Sequence, residues 1–177
     1  MRLFVAVLLS EVMKDALCKS QQALGQRARS GNFSRRENLH LTLAFLGDCP
    51  PSAIPKIRRA MTASLRGREP FPMTLGKMGR FRRSGADLWW AGLRRQDALT
   101  ELAQALQAAL RQEGFALEER PFAAHLTIAR QVDAPTLRPE EIPLPPVSQT
   151  VEAVSLMEST RVNGILTYRE ILSVSLD

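Results

Sequence analysis

The spacing of apolar residues changes between two patterns along the chain. Runs of apolar, β-branched and aromatic residues predict seven strands, because side chains of an extended segment alternate between two faces. These strands lie at about residues 2–9, 39–46, 71–76, 86–92, 123–129, 147–157 and 165–176. Helical spacing predicts three helices, from Ser10 as N-cap to about Arg27, from Pro51 and Ser52 through Leu65, and from about Asp97 to Glu113.

The order of these elements predicts an α+β fold. Strand 71–76 is followed directly by 86–92, and 147–157 by 165–176, which is typical of hairpins in antiparallel sheets and not of a doubly wound parallel sheet. The length of 177 residues suits one domain, and we expect residues 1–177 to form it in two lobes. Five prolines between Pro135 and Pro146 predict a rigid connector that crosses from one part of the molecule to another.

Two histidines stand out, because each begins the same four-residue pattern. The copies are His40-Leu41-Thr42-Leu43 and His125-Leu126-Thr127-Ile128. With the nine threonines of this chain, chance would give both copies about once in four hundred. In a strand the His and Thr of each copy share one face, and the apolar residues share the other. Two lobes related by a pseudo-twofold axis would bring both polar faces to one cleft.

This residue set favours acid–base catalysis without a metal ion, although each histidine alone would fit a structural imidazole. Zinc takes three or four ligands, and neither histidine has a carboxylate or thiol at ligand spacing. The sequence has no G-x-S-x-G element, and the glycines at 76–85 match neither a phosphate loop nor a dinucleotide fingerprint. One imidazole could accept a proton from the nucleophile while the other protonates the leaving oxygen. The threonine hydroxyls could donate to phosphoryl oxygens.

The charge balance adds a preference for phosphate. The net charge of +6 comes from 20 arginines and only four lysines. A guanidinium pairs bidentately with phosphate, but ordinary solvated surfaces are also rich in arginine, so both interpretations stay open. The candidates for contacts with RNA are Arg27, Arg29, Arg35 and Arg36 before the first His motif, and Arg80, Arg82 and Arg83 in a predicted loop.

The cysteines and the lengths of the apolar runs indicate the cellular compartment of the protein. Cys18 and Cys49 do not make a disulfide framework and suit a reducing cytosol, so we expect a cytoplasmic protein. The apolar run at residues 3–9 is short for a signal sequence and is expected to be a buried strand. The sequence has no apolar stretch near the ~20 residues of a membrane-spanning helix. We expect a monomer with no obligate protein partner.

The segments from Asn38 to Gly47, NLHLTLAFLG, and from Arg120 to Arg130, RPFAAHLTIAR, resemble a known family. They are similar to the bacterial RNA 2′,3′-cyclic phosphodiesterases, also called 2′-5′ RNA ligases, of the two-histidine phosphoesterase superfamily, which carries paired H-x-T-x motifs. The resemblance covers nearly the whole chain. The second motif departs in one place, because the family often has proline where Ala124 stands. The resemblance implies a bilobal α+β fold with two antiparallel sheets lining a central groove and helices outside.

The resemblance also implies roles for the residues of the two motifs. His40 would be the proton donor to the leaving oxygen, and His125 would be the proton acceptor that activates water. Thr42 and Thr127 would hold the phosphate. No metal ion and no cofactor is implied.

Three further residues are candidates for contacts with substrate. Arg130 matches a basic position of the family, but strand alternation places it on the face opposite His125 unless the strand bulges. Phe45 and Phe122 are candidates for the border of a base pocket, with the core as their alternative.

The activity implied is metal-independent opening of a terminal 2′,3′-cyclic phosphate on RNA to the 2′-phosphate, with tRNA fragments among the candidate substrates. The same site could run in reverse as a 2′-5′ ligase, because both directions share one transition state. Two alternatives stay open. One is a phosphodiesterase for a small cyclic nucleotide or an ADP-ribose cyclic phosphate, and the other is an RNA-binding module that grips phosphate without turnover.

Overall fold

The computed structural model describes residues 1–84 and 86–177. Within these ranges the chain forms nine strands and three α-helices. The strands are β1 (Arg2–Leu8), β2 (Ser30–Phe33), β3 (His40–Asp48), β4 (Phe71–Phe81), β5 (Asp87–Leu93), β6 (His125–Asp133), β7 (Ser148–Val151), β8 (Ala153–Val162) and β9 (Ile165–Ser175). The helices are α1 (Glu11–Arg27), α2 (Ile54–Leu65) and α3 (Asp97–Gln112).

The strands build two antiparallel sheets. The order is β3-β1-β8-β9 in the four-stranded sheet and β2-β6-β5-β4-β7 in the five-stranded sheet. The α+β class is therefore confirmed, as are the two predicted hairpin pairs, β4 with β5 and β8 with β9. One cluster of buried apolar residues runs through both sheets and all three helices.

Local sequence explains the main elements. The residues from Leu3 to Val7 are all buried, because β1 lies between two other strands and is covered on both faces. The hydroxyl of Ser10 accepts a hydrogen bond from the backbone N–H of Met13, which confirms the predicted N-cap of α1. The apolar stripe of α3 is buried from Leu99 to Leu110.

Several predicted boundaries are wrong. The predicted strand 147–157 is two strands, because β7 pairs with β4 while β8 pairs with β1 in the other sheet. The chain changes sheets at Glu152, so the proline-rich connector from β6 to β7 starts and ends in one sheet. Strand β2 was not predicted. None of the helices in the described residues is both long and apolar enough to cross a membrane.

Candidate active site

Both His motifs line one cavity between the sheets, of about 330 Å³. We call it the central cavity. His40 is the first residue of β3, which is an outer strand of the four-stranded sheet. His125 is the first residue of β6 in the other sheet. Thr42 and Thr127 line the cavity beside them, so the fold brings the two motifs together from opposite lobes.

The imidazole of His40 has a defined tautomer. Its Nδ1 lies 2.7 Å from the backbone oxygen of Asn38. Because a carbonyl oxygen only accepts, Nδ1 carries a proton and donates it. The other ring nitrogen, Nε2, lies 2.8 Å from Oγ1 of Thr42. In the neutral imidazole Nε2 therefore accepts a hydrogen bond from the Thr42 hydroxyl and is the atom that exchanges a proton.

The imidazole of His125 is held in the same way. Its Nδ1 lies 2.8 Å from the backbone oxygen of Ala123, again two residues upstream in the chain. The same argument puts the proton on Nδ1 and leaves Nε2 for proton transfer. The two lobes thus present equivalent nitrogens to one cavity.

Each imidazole packs against two aromatic rings. The ring of His40 lies 4.9 Å from the ring of Phe4 and 5.1 Å, edge to face, from that of Tyr168. The ring of His125 lies 5.5 Å from Phe81 and 6.0 Å from Trp90. Aromatic contacts of this kind restrict ring rotation and exclude water from one side of each imidazole. Both histidines are therefore fixed by their neighbours as well as by hydrogen bonds.

The electrostatic surroundings of His40 disfavour its charged form. Burial is the main cause that lowers the pKa of His40 below its ordinary 6.5, and the nearby charge of Arg130 lowers it further. The hydrogen bond to the backbone of Asn38 opposes this shift. These effects together favour the neutral imidazole of His40.

Arg130 lines the central cavity because β6 bulges. Two adjacent residues of β5 pair with Ala129 and Thr127, so Ile128 is an extra residue in β6. Ile128 and Ala129 are consecutive buried residues, and after them the alternation is reversed. The reversal puts Arg130 on the same side as His125. The bulge that the sequence analysis required for this placement is present.

Further residues of the cavity lie outside the two H-x-T-x motifs, and of these the sequence analysis named only Arg35 as a candidate for contacts with RNA. They include Asn32, Ser34, Arg35, Asn38, Arg161 and Tyr168. They belong to β2, the segment after it and the β8–β9 hairpin. The side-chain nitrogen of Asn38 donates to the backbone oxygen of Leu166 at 3.0 Å, which ties this hairpin to the first His motif. Tyr168 is the single tyrosine of the chain, and this is the only signal that could have indicated it.

The two phenylalanines proposed for a base pocket lie elsewhere. The described lining of the central cavity includes neither Phe45 nor Phe122. The side chain of Phe45 is 49% exposed and lies under the guanidinium of Arg2, 5.0 Å from it. Phe122 is half-buried against the core.

Two of the arginines proposed to contact RNA are structural. Arg80 lies in β4 and not in a loop, so this part of the prediction is wrong. Its buried guanidinium lies 3.7 Å from the carboxylate of Asp87 and donates to the backbone oxygen of Ala134 at 2.9 Å. A guanidinium held between strands in this way is not free to bind a phosphate.

Arg36 is held on the surface of α1. Its two terminal nitrogens each lie 2.6 Å from a carboxylate, one of Glu11 and one of Asp15. These partners raise the pKa of Arg36, and Arg36 in turn lowers that of Glu11. Arg35, by contrast, lines the central cavity.

Between residues 1 and 84 and between 86 and 177, no three His, Cys, Asp or Glu side chains are grouped so that they could hold a metal ion.

Comparison with known proteins identifies relatives over most of the chain. The model of the 2′-5′ RNA ligase superfamily matches residues 13–163. An RNA 2′,3′-cyclic phosphodiesterase of Geobacillus stearothermophilus is 34% identical over 90% of this chain. The chain spans about half of that relative, because the match covers 52% of it. An RNA 2′,3′-cyclic phosphodiesterase of Thermotoga maritima is 30% identical over 90% of this chain and 87% of the relative.

A solved structure shares the fold. The crystal structure of E. coli LigT in complex with 3′-AMP matches with a TM-score of 0.84 and 25% identity, and covers 99% of this chain and 97% of the other.

Proposed function

The chain belongs to the 2′-5′ RNA ligase superfamily, and from this premise we propose that it opens a terminal 2′,3′-cyclic phosphate on RNA to the 2′-phosphate without a metal ion. The observation that carries the proposal is the pair of equivalent Nε2 atoms, one from each sheet, in one cavity. An in-line displacement at phosphorus needs a base on one side and an acid on the other. Two lobes that each present one imidazole meet this need.

The proposed reaction assigns one proton transfer to each histidine. Nε2 of His125 takes a proton from a water molecule as its oxygen attacks the phosphorus. The bond from phosphorus to O3′ breaks, and O3′ leaves with a proton from Nε2 of His40. The products are a 2′-phosphate and a 3′-hydroxyl. The protons then return through solvent, which regenerates the starting state.

The remaining cavity residues would stabilise charge on the phosphate. The hydroxyls of Thr42 and Thr127 would donate to its non-bridging oxygens, and the guanidinium of Arg130 would offset their negative charge. His40 must be protonated to act as the acid, whereas burial lowers its pKa. A bound phosphate anion favours the imidazolium, so substrate binding would itself supply the protonated form.

The same groups would also support ligation. A 5′-hydroxyl in place of water would give its proton to His125 and attack the phosphorus, the bond to O3′ would break with a proton from His40, and the product would be a 2′-5′ linkage. We further propose that the protein is a monomer. We place it in the cytoplasm, because the free thiols of Cys18 and Cys49 are stable in a reducing compartment.

A small cyclic phosphate is the second candidate substrate. The central cavity, at about 330 Å³, lies near the lower end of the range of small-molecule sites, roughly 300–1,000 Å³. It therefore suits about one nucleotide, and the E. coli relative was crystallised with 3′-AMP. RNA beyond its terminal nucleotide would have to lie outside the cavity.

End-group analysis tests the proposal. An oligonucleotide ending in a 2′,3′-cyclic phosphate is incubated with the enzyme in EDTA, and the product is identified by phosphorus NMR. The proposal predicts a 2′-phosphate at a rate that EDTA does not change. A 3′-phosphate, a requirement for added Mg²⁺ or Zn²⁺, or binding without turnover would each contradict it. A cyclic mononucleotide assayed in parallel decides between the two substrate classes.

A further inference from the structure

Both strands that carry a His motif bulge at the same place. Adjacent residues of β1 pair with Ala44 and Thr42, so Leu43 is the extra residue of β3, as Ile128 is in β6. Leu43 and Ile128 each stand three residues after the histidine of their motif. An extra residue interrupts the ladder, and its backbone groups need other partners.

A glutamine side chain supplies a partner in each case. Nε2 of Gln21, on α1, donates to the backbone oxygen of Ile128 at 2.9 Å and to that of Ser34 at 2.8 Å. The Ile128 oxygen also accepts from the backbone N–H of Ser34 at 3.0 Å, so Gln21 bridges the bulge and the segment that follows β2. Nε2 of Gln107, on α3, donates to the backbone oxygen of Leu43 at 2.9 Å. Both glutamines are half-buried on the side of their helix that faces a sheet.

The two glutamines occupy equivalent places in their helices. Each bonds to the His-motif strand that lies farther from it in the sequence. Each has a buried residue four positions before it and a buried leucine three positions after it, which are Leu17 and Leu24 for Gln21 and Ala103 and Leu110 for Gln107. Helix α1 precedes the first motif but contacts the second, and α3 precedes the second motif but contacts the first. Each helix is therefore packed on the motif strand that lies farther from it in the sequence.

We propose that Gln21 and Gln107 are positioning residues, each of which holds the bulge that orients one His motif toward the central cavity. The bulge of β6 reverses the alternation between Thr127 and Arg130 and so brings both to the cavity. Without the bond from Gln21, that strand can relax toward regular pairing, which turns Arg130 to the other face. The inference rests on the proposed function only for the effect on turnover.

The test replaces each donor by a side chain of similar size that cannot donate. The variants are Gln21→Met and Gln107→Met, and the matched controls are Gln22→Met and Gln104→Met, which alter exposed glutamines of the same helices. We expect kcat for a cyclic mononucleotide to fall about tenfold to a hundredfold in the two test variants, because a small misplacement of reacting groups has an effect of this size. The controls should stay within about twofold of the parent.

A second readout does not depend on turnover. The chain holds only two histidines, so each ring gives a separate NMR titration. Because the charge of Arg130 lowers the pKa of His40, moving Arg130 out of the cavity should raise that pKa in Gln21→Met. Loss of stability alone would not cause this rise in a folded protein. Gln21→Glu adds a rescue, since its carboxyl can donate only when protonated, and its activity relative to the parent should recover as pH falls.

The outcomes separate the two proposals. A rise of the pKa of His40 in Gln21→Met but not in Gln22→Met supports the inference, whether or not the protein turns over a cyclic phosphate. An unchanged pKa of His40 together with a kcat within twofold of the parent would overturn it. If Gln21→Met fails to fold, Gln21→Glu at low and neutral pH provides the same comparison, and equal relative activity at both pH values overturns the inference.

Discussion

The two imidazoles have the same tautomer but different surroundings. His40 packs against Phe4 and Tyr168 and feels the charge of Arg130, and with burial as the main cause its charged form is disfavoured. If His40 is the acid of the proposed reaction, the binding of an anionic substrate would have to favour its protonation.

NMR titration of the two histidines tests this picture at the level of the residue. We expect His40 to titrate below 6.5 in the free protein. Arg130→Gln should raise the pKa of His40, because it removes a positive charge that opposes the imidazolium. Inorganic phosphate in the site should raise it as well. A pKa of His40 above 6.5 in the free parent would contradict the account.

The hydroxyl of Thr42 offers a milder perturbation. Thr42→Val keeps the shape of the side chain but removes the hydrogen bond to Nε2 of His40 and one donor to the phosphate. We expect kcat to fall by about tenfold, which corresponds to one neutral hydrogen bond of roughly 1.4 kcal/mol. Thr150→Val, at an exposed threonine of β7 outside the cavity, is the control. Equal kinetics of Thr42→Val and the parent would exclude a role for this hydroxyl.

At the scale of the element, the sequence predicted the main strands and helices but not how strands are interrupted. Strand β2 is short and reads Ser-Gly-Asn-Phe, which has no apolar alternation, because it pairs at a sheet edge through its backbone. The bulges of β3 and β6 leave the pattern of apolar residues intact and become visible only in the pairing. For this reason the side of the strand on which Arg130 lies could not be settled from the sequence.

The hairpin of β4 and β5 shows a second limit. The predicted strands 71–76 and 86–92 leave Arg80, Arg82 and Arg83 in a loop between them, whereas β4 continues to Phe81. A buried Asp87 on the paired strand explains why an arginine can lie inside the sheet. The partner of a buried charge comes from the tertiary structure, which a charge pattern along the chain does not reveal.

The buried pair of Arg80 and Asp87 makes a prediction about stability. Asp87→Ala leaves the guanidinium of Arg80 buried without its carboxylate, since the two side chains are only 7% and 11% exposed. We expect the free energy of unfolding, measured by urea denaturation, to fall by about 3–5 kcal/mol. Glu118→Ala removes an exposed pair with Arg120 and should cost less than about 1 kcal/mol. If both variants lose the same free energy of unfolding, the buried pair contributes no more to stability than the exposed pair.

At the scale of the whole molecule, the repeated motif predicted the central arrangement correctly. The two sheets bring both His motifs to one cavity, and α1 and α3 each bond to the bulge of one motif strand. The aromatic rings around the histidines and the β8–β9 hairpin beside the cavity could not be foreseen. Their residues are far from the motifs in the sequence and reach the site only through strand pairing.

Because the molecule is positively charged, we expect salt to weaken the binding of an oligonucleotide more than the binding of a mononucleotide. If Arg35 and Arg161 at the cavity and the exposed Arg82 and Arg83 outside it contact RNA, affinity for an oligonucleotide should fall with the logarithm of salt, with a slope near −0.7 per phosphate contact. A cyclic mononucleotide should show a shallower slope. Replacing Arg82 and Arg83 by Ala should flatten the slope for the oligonucleotide alone, whereas Arg95→Ala should not. Identical slopes for both ligands in the parent would mean that these arginines only face solvent.

The most direct test of the two-histidine mechanism is the rate of cyclic phosphate opening in His40→Ala, His125→Ala and the double variant, with folding checked by circular dichroism. Each single change removes one proton-transfer partner, so we expect kcat to fall by about 10²–10⁴-fold. Because the two histidines act in one step, the double variant should be little slower than the worse single variant. A single variant that stays folded and retains a rate within about threefold of the parent would contradict the account.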